Sequence, residues 1–391
     1  MRTRLLLTTT AVLAMSLLSG CATAAPAAEP TAPTPTATST PTPTATPDPV
    51  AEFVESRMSQ MTLEQKAASL LMLHAPGLDP APLRADVERG TSGLILMGDN
   101  VPASPEQLAS LVAAAQVDPE LPALIAIDEE GGDVQRLPWD PAPGAEALQA
   151  QPPAATTAAF ASRAAVLAAS GVNLNFGIVA DVTADPDSFI AARVLGTDPV
   201  AAGDRVAGAV AGEHDTVFST LKHFPGHGAA PGDSHSSLPS APLGIDEWRA
   251  GPAIPFQRGI DAGAELVMTG HLVYPAIDAQ PASLSPEWHR ILREELGFEG
   301  VVVTDDMLML GRNGLPEYAD QNENAVRAVA SGADLLLYVL PADPSSVGIS
   351  IDELVGAISG AVASGRVPQA RLDDAVERVL TLRRTLVEET S

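Results

Sequence analysis

The segment Lys222-His223-Phe224-Pro225-Gly226-His227-Gly228, followed by Asp233-Ser234-His235, begins where an apolar run (Val217, Phe218, Leu221) stops. Its histidines and glycines are poor core and poor helix material, and Gly226 and Gly228 let backbone approach a ligand closely. The segment therefore reads as an active-site loop at the end of a strand. Outward from it, short apolar runs recur at 69–73, 93–97, 124–127, 172–176, 218–221, 266–268, 301–303 and 335–339. Runs that are apolar on both faces suit buried parallel strands. Helical patterns lie between them, and alternating strands and helices imply a parallel sheet. Eight such repeats predict an α/β chain folded as a single (β/α)8 TIM-type barrel.

The helices carry start and stop signals. Ser104-Pro105-Glu106-Gln107 supplies an N-cap, a proline at the first helical position and Gln at the third, ahead of Leu108, Leu111 and Val112. Ser285-Pro286-Glu287 opens another helix, with Ile291, Leu292 and Leu296 on one face and Gly297 as its stop. The last helix, with Leu372, Val376, Val379 and Leu380, is expected to pack on the outside of the barrel. Just past the apolar runs stand His74, Asp99, Asp128, Asp181, Lys222 with His223, His271 and Asp305. Barrel active sites lie at the C-terminal ends of the strands, so these side chains should converge on one cavity.

The ends of the chain do not belong to that barrel. Arg2 and Arg4 precede an apolar stretch over 5–18 that is too short to span a membrane, the pattern of a signal peptide. Leu18-Ser19-Gly20-Cys21 resembles a bacterial lipobox, which implies cleavage before Cys21 and lipidation of that residue. Cys21 is the only cysteine, so no intramolecular disulfide can form. Residues 22–49 are nearly all Ala, Thr and Pro, a composition that buries no core and reads as an extended stalk. The expected organisation is a signal peptide (1–20), a lipidated Cys21 with its stalk (21–50) and a barrel domain (51–391). The chain would then be exported, anchored by lipid to the outer face of the bacterial cell membrane, and monomeric. A formal net charge of −27 argues against nucleic acid as a partner and otherwise serves solubility.

Two groups can carry chemistry. Asp305 follows Val301-Val302-Val303-Thr304, so a rigid strand fixes a carboxylate that can attack an electrophilic carbon or stabilise a cation. Its neighbour Asp306 points the other way by strand alternation. His235 is the candidate proton donor, with Asp233 two residues earlier to fix its tautomer. Asp-x-His is also half of a metal site. However, no His-Glu-x-x-His and no cysteine ligands accompany it, so neither a metal nor another cofactor is expected. Ser234 is not in a nucleophile elbow, which disfavours a serine hydrolase.

Lys222-His223-Phe224-Pro225-Gly226-His227-Gly228 with Asp233-Ser234-His235 resembles the loop of the β-N-acetylglucosaminidase branch of glycoside hydrolase family 3. Ile127-Asp128-Glu129-Glu130-Gly131-Gly132-Asp133-Val134-Gln135-Arg136, Val303-Thr304-Asp305-Asp306-Met307, Pro281-Ala282-Ser283-Leu284-Ser285 and Arg293-Glu294-Glu295-Leu296-Gly297-Phe298 are similar to further stretches of that family. The resemblance implies a retaining exo-glycosidase that releases terminal β-linked N-acetylglucosamine from cell-wall muropeptides or related glycans. It makes Asp305 the nucleophile, His235 the acid/base oriented by Asp233, and Asp128, Arg136, Arg193, Lys222 and His223 the holders of the terminal sugar. Two departures stand out: Asp133 replaces an arginine, and Arg193-Val194-Leu195-Gly196 replaces Arg-Ser-Phe-Gly. His227 is expected to be a structural, hydrogen-bonding histidine. Two other readings stay open: a phosphorylase of the same family, because a histidine base does not repel phosphate, and an inactive sugar-binding surface lipoprotein.

Overall fold

The computed structural model describes residues 48–388. Cys21, the signal peptide and the stalk up to residue 47 lie outside the described residues. Eight strands follow in chain order: β1 (Leu71–Leu73), β2 (Gly93–Leu96), β3 (Leu124–Ile127), β4 (Leu174–Val179), β5 (Phe218–Phe224), β6 (Leu266–Thr269), β7 (Val301–Thr304) and β8 (Leu336–Tyr338). They form one sheet in the order β7-β6-β5-β4-β3-β2-β1-β8, and every pairing is parallel. A parallel bridge between Val303 and Leu335 joins the two ends, with Thr304 N–H donating to Leu335 O at 3.0 Å and Met307 N–H to Leu337 O at 2.9 Å. The sheet is thus closed as the (β/α)8 barrel that the eight apolar runs predict.

Strand alternation sorts the side chains. Leu124 and Ala126 of β3, Leu266 and Met268 of β6, and Val301 and Val303 of β7 fill the barrel interior. Their alternates Ile125, Ile127, Val267 and Val302 pack outward under the helices. Continuing the inward series past the last strand residue reaches Asp128 on β3 and Asp305 on β7. The fold therefore aims these two carboxylates into the mouth before any loop is considered.

Three expectations need correction. The apolar patterns end β4 and β5 too early, because each strand carries a register shift, between Asn175 and Ile178 and between Leu221 and Phe224. Lys222, His223 and Phe224 therefore belong to β5 itself rather than to a loop. The last helix, Gln369–Glu388, does not lie only on the outside. Leu372, Val376 and Leu380 pack among the outer helices, while Val379 and Leu382 join the barrel interior beside Phe218, Leu266 and Val301. It closes the N-terminal mouth, where Arg383 donates to the carbonyls of Leu121 and Pro122. Finally, Gln107 does not complete a capping box. Ser104 Oγ accepts from Gln107 N–H, but the Gln107 side chain accepts from Ala103 N–H, one residue further back.

Candidate active site

Phe224, Pro225 and Gly226 are pinned from outside the barrel. The Phe224 ring meets Phe256, Trp288 and Trp248 edge-on, with centroids 5.3, 5.7 and 6.1 Å away. Trp248 Nε1–H donates to Pro225 O at 2.7 Å and the Tyr274 hydroxyl to Gly226 O at 2.6 Å. The Lys222–His223 and Phe224–Pro225 peptide bonds are cis. Gly228 is needed for a close approach, though to protein rather than to a ligand: a Cβ there would lie 2.2 Å from Val182 O, in the segment after β4. Gly226 adopts φ 123°, which disfavours any side chain.

Inside the mouth the charged side chains form one network. Lys222 Nζ lies 2.7 Å from Asp128 Oδ1 and 2.7 Å from Glu130 Oε1. Arg193 grips Glu130 with two parallel bonds, of 2.9 and 2.7 Å. Arg136 faces the other oxygen of Asp128 at 3.7 Å. Burial pushes the Glu130 carboxyl up, but Lys222 and Arg193 outweigh it and hold the group down at about 2. Glu130 went unassigned in the sequence although it lies inside the quoted Asp128-Glu129-Glu130 stretch. Alternation from Asp128 turns it back toward the mouth, which is the signal that could have found it.

His223 is fixed by Asp181, the residue two past β4. Its backbone N–H and Nδ1 both meet Asp181 Oδ2, at 3.1 and 2.8 Å. Burial, with Arg193 and Lys222 near, holds the imidazole neutral, well below its ordinary range. In the neutral ring Nδ1–H donates to Asp181, leaving Nε2 to accept from a ligand hydroxyl. Asp181 also accepts the backbone N–H of His227. The ring of His227 corrects an expectation: it is buried, yet neither nitrogen has a hydrogen-bond partner among the described residues. Its main ring contact is Phe189, edge-on at 4.6 Å.

Asp305 and Asp306 occupy contrasting environments. Asp305 follows β7 on the inward face, and its Oδ1 accepts Asp306 N–H at 2.8 Å. Burial raises its pKa, but His223, His271, that backbone N–H and Lys222 together hold it below the usual carboxylate value. Asp306 turns away, and its Oδ1 accepts from Leu308 N–H at 3.2 Å and Val339 N–H at 3.0 Å. Burial pushes that carboxyl up to about 6.

Asp233 and His235 lie on the segment after β5. His235 Nδ1 is 2.6 Å from Asp233 Oδ1, which also accepts His235 N–H at 3.0 Å. Both side chains are open to solvent, at 63% for His235 and 45% for Asp233. Further along the segment Leu238 packs on the cluster that contains Met307 and Leu308, and Ser240 bridges Val273. The mouth thus combines a recessed carboxylate with a wall of paired charges along β3, β4 and β5, and the segment after β5 carries the solvent-facing Asp233–His235 pair.

A model of the family described as "Glycosyl hydrolase family 3 N terminal domain" matches residues 62–382. A beta-hexosaminidase of Stenotrophomonas maltophilia (strain K279a) is 36% identical over 283 residues, which cover 69% of this chain and 80% of that protein. Among solved structures, a glycoside hydrolase family 3 beta-N-acetylglucosaminidase from Paenibacillus sp. str. FPU-7 is similar with a TM-score of 0.76 and 34% identity, over 83% of this chain and 63% of that one. A beta-N-acetylhexosaminidase from Beutenbergia cavernae DSM 12333 gives a TM-score of 0.73 and 30% identity, over 83% of this chain and 99% of that one. This chain therefore spans less than two thirds of the Paenibacillus chain and nearly all of the Beutenbergia one. The match runs through the barrel from the helix before β1 to the helix that closes its N-terminal mouth, and by it the chain belongs to glycosyl hydrolase family 3 and is a glycoside hydrolase.

Proposed function

We propose that the chain is a retaining exo-β-N-acetylglucosaminidase acting on terminal β-linked N-acetylglucosamine of cell-wall muropeptides or related glycans. The observations that support this reading are Asp305, buried at the inward end of β7, and the exposed Asp233–His235 pair on the segment after β5. In the first step an Asp305 oxygen bonds to the anomeric carbon while the bond to the leaving oxygen breaks. Protonated His235 gives that oxygen its proton. In the second step neutral His235 takes a proton from water, whose oxygen replaces Asp305 on the same carbon and restores the starting stereochemistry. Asp233 holds the imidazole in position through both steps. Asp128, Arg136, Arg193, Lys222 and His223 hold the hydroxyls of the terminal sugar, and Glu130 keeps Lys222 and Arg193 in place.

A turnover assay with a chromogenic N-acetylglucosaminide, with and without phosphate, tests the reading. Release in water, with the β-anomer of the sugar formed first, is the expected result. Turnover that depends on phosphate and yields the sugar 1-phosphate would replace hydrolysis by phosphorolysis. Sugar binding without turnover would make the chain a binding protein. We further propose that Cys21 is lipidated and holds the barrel at the outer face of the bacterial cell membrane.

A further inference from the structure

Two features singled out in the sequence have no part in this mechanism: His271, just past β6, and the Pro281-Ala282-Ser283-Leu284-Ser285 stretch. The fold brings them together. Ser283 sits in a buried 3-10 turn, Ala282–Leu284, and its N–H donates to Gly270 O at 3.3 Å. Its Oγ lies 2.7 Å from His271 Nδ1, and His271 Nε2 lies 3.0 Å from Asp306 O. A carbonyl oxygen can only accept, so Nε2 carries the hydrogen, and in a neutral ring Nδ1 accepts from the Ser283 hydroxyl. His271 is 1% exposed and Ser283 fully buried, so water does not compete for either bond. The Asp306 backbone that His271 holds is the one whose N–H engages Asp305 Oδ1. Asp305 N–H is tied in turn to Thr269 O of β6 at 3.0 Å.

We propose that Ser283 and His271 are positioning residues that fix the Asp305 carboxylate through the Asp306 backbone, so that Oδ1 is held by the protein and Oδ2 attacks the sugar. The inference rests on the reading of Asp305 as the nucleophile. A nucleophile must sit within about 3–3.5 Å of its target and in line, and an error of about 1 Å costs roughly a hundredfold in rate. Other charged or titratable groups near Asp305 are His223 and Lys222 from β5, His227 just past that strand and the neighbouring Asp306. They act on its charge, whereas His271 also acts on its position.

The test measures labelling of the full barrel by a slow fluorosugar inactivator, with peptide mapping, in the wild type, Ser283→Ala, His271→Gln and His271→Leu. The relay predicts a labelling rate down about tenfold in Ser283→Ala, for one lost neutral hydrogen bond, and about a hundredfold in His271→Leu. His271→Gln, whose amide can still donate to Asp306 O, should fall between the wild type and His271→Leu. In all three variants kcat should fall far more than KM changes, and the acid limb of kcat/KM should move to higher pH. Ser283→Ala and His271→Gln decide the matter should His271→Leu not fold. Variants that melt earlier but label at the wild-type rate would overturn the relay alone. A wild-type label on a peptide without Asp305 would overturn the reading of the nucleophile and the relay with it.

Discussion

Asp305 and Asp306 are adjacent in the chain, and β7 sends them to opposite sides. Val301 and Val303 face inward and Val302 outward, so Asp305 enters the mouth and Asp306 ties the chain to β8. Asp305→Ala should therefore lose several orders of magnitude in kcat, the cost of losing a covalent route. Asp306→Asn keeps an acceptor for Leu308 and Val339 and should keep most of the activity. Its pH dependence has a definite sign. The folded pKa of Asp306 is raised from 3.8 to about 6, so its contribution is present at low pH and is lost as pH rises through about 6. Above that pH, Asp306→Asn should melt no earlier than the wild type. A thermal melt series across pH, run beside the activity assay, checks both halves. The acid/base assignment is tested by leaving groups: His235→Ala should slow substrates with poor leaving groups far more than activated aryl glycosides, which need little protonation. Equal losses on both would remove His235 from that role. Charged residues next to strand ends could be read from the sequence because position alone marks them. What Asp181 and Ser283 hold could not, because it depends on partners 12 to 46 residues away in the chain that only the closed barrel brings near.

At the scale of elements, the hydrophobic pattern located all eight strands but missed how far two of them run. In β4 and β5 the register shifts, and polar residues such as Lys222 and His223 continue the ladder past the end of the apolar pattern. The final helix was misplaced for a similar reason. Its apolar stripe is wide enough to serve two surfaces, the outer helices through Leu372, Val376 and Leu380 and the barrel floor through Val379 and Leu382. Leu380→Ala should cost about 2–5 kcal/mol, as emptied core sites do, with kcat unchanged in the folded fraction because the site lies at the other end of the barrel. A urea titration with parallel rate measurements checks this. The helix Pro199–Glu213 ends on a buried carboxyl that bonds to Asn175 of β4. Burial pushes Glu213 up to about 8, so it is protonated in the fold at neutral pH. Its contribution is fully present below the unfolded value near 4.5 and is lost as pH rises through about 8. Glu213→Gln should accordingly gain stability relative to the wild type as pH rises from about 5 to 8, and a pH-independent difference in melting would count against a buried neutral carboxyl.

At the scale of the whole molecule, the chain has two ends with different tasks. The first described helix, Pro49–Ser59, packs against the last one, where the Arg384 guanidinium lies 4.3 Å from the centre of the Phe53 ring and Arg57 pairs with Asp118. Chain entry at Asp48 and the closing helix are thus on the barrel side away from Asp305. The proposed anchor at Cys21 rests on chemistry. One acyl chain, at about 0.8 kcal/mol per buried CH₂, binds a bilayer only marginally, and stable attachment needs the several chains that a lipidated N-terminal cysteine carries. The net charge of −27 offers no electrostatic help at an anionic surface, so the proposed attachment would rest on lipid. Cys21→Ala should move the protein from the membrane fraction to the soluble or unprocessed one, while kcat/KM on a small chromogenic substrate stays at the wild-type value. A variant that stays in the membrane fraction and is extracted only by detergent would remove Cys21 as the anchor.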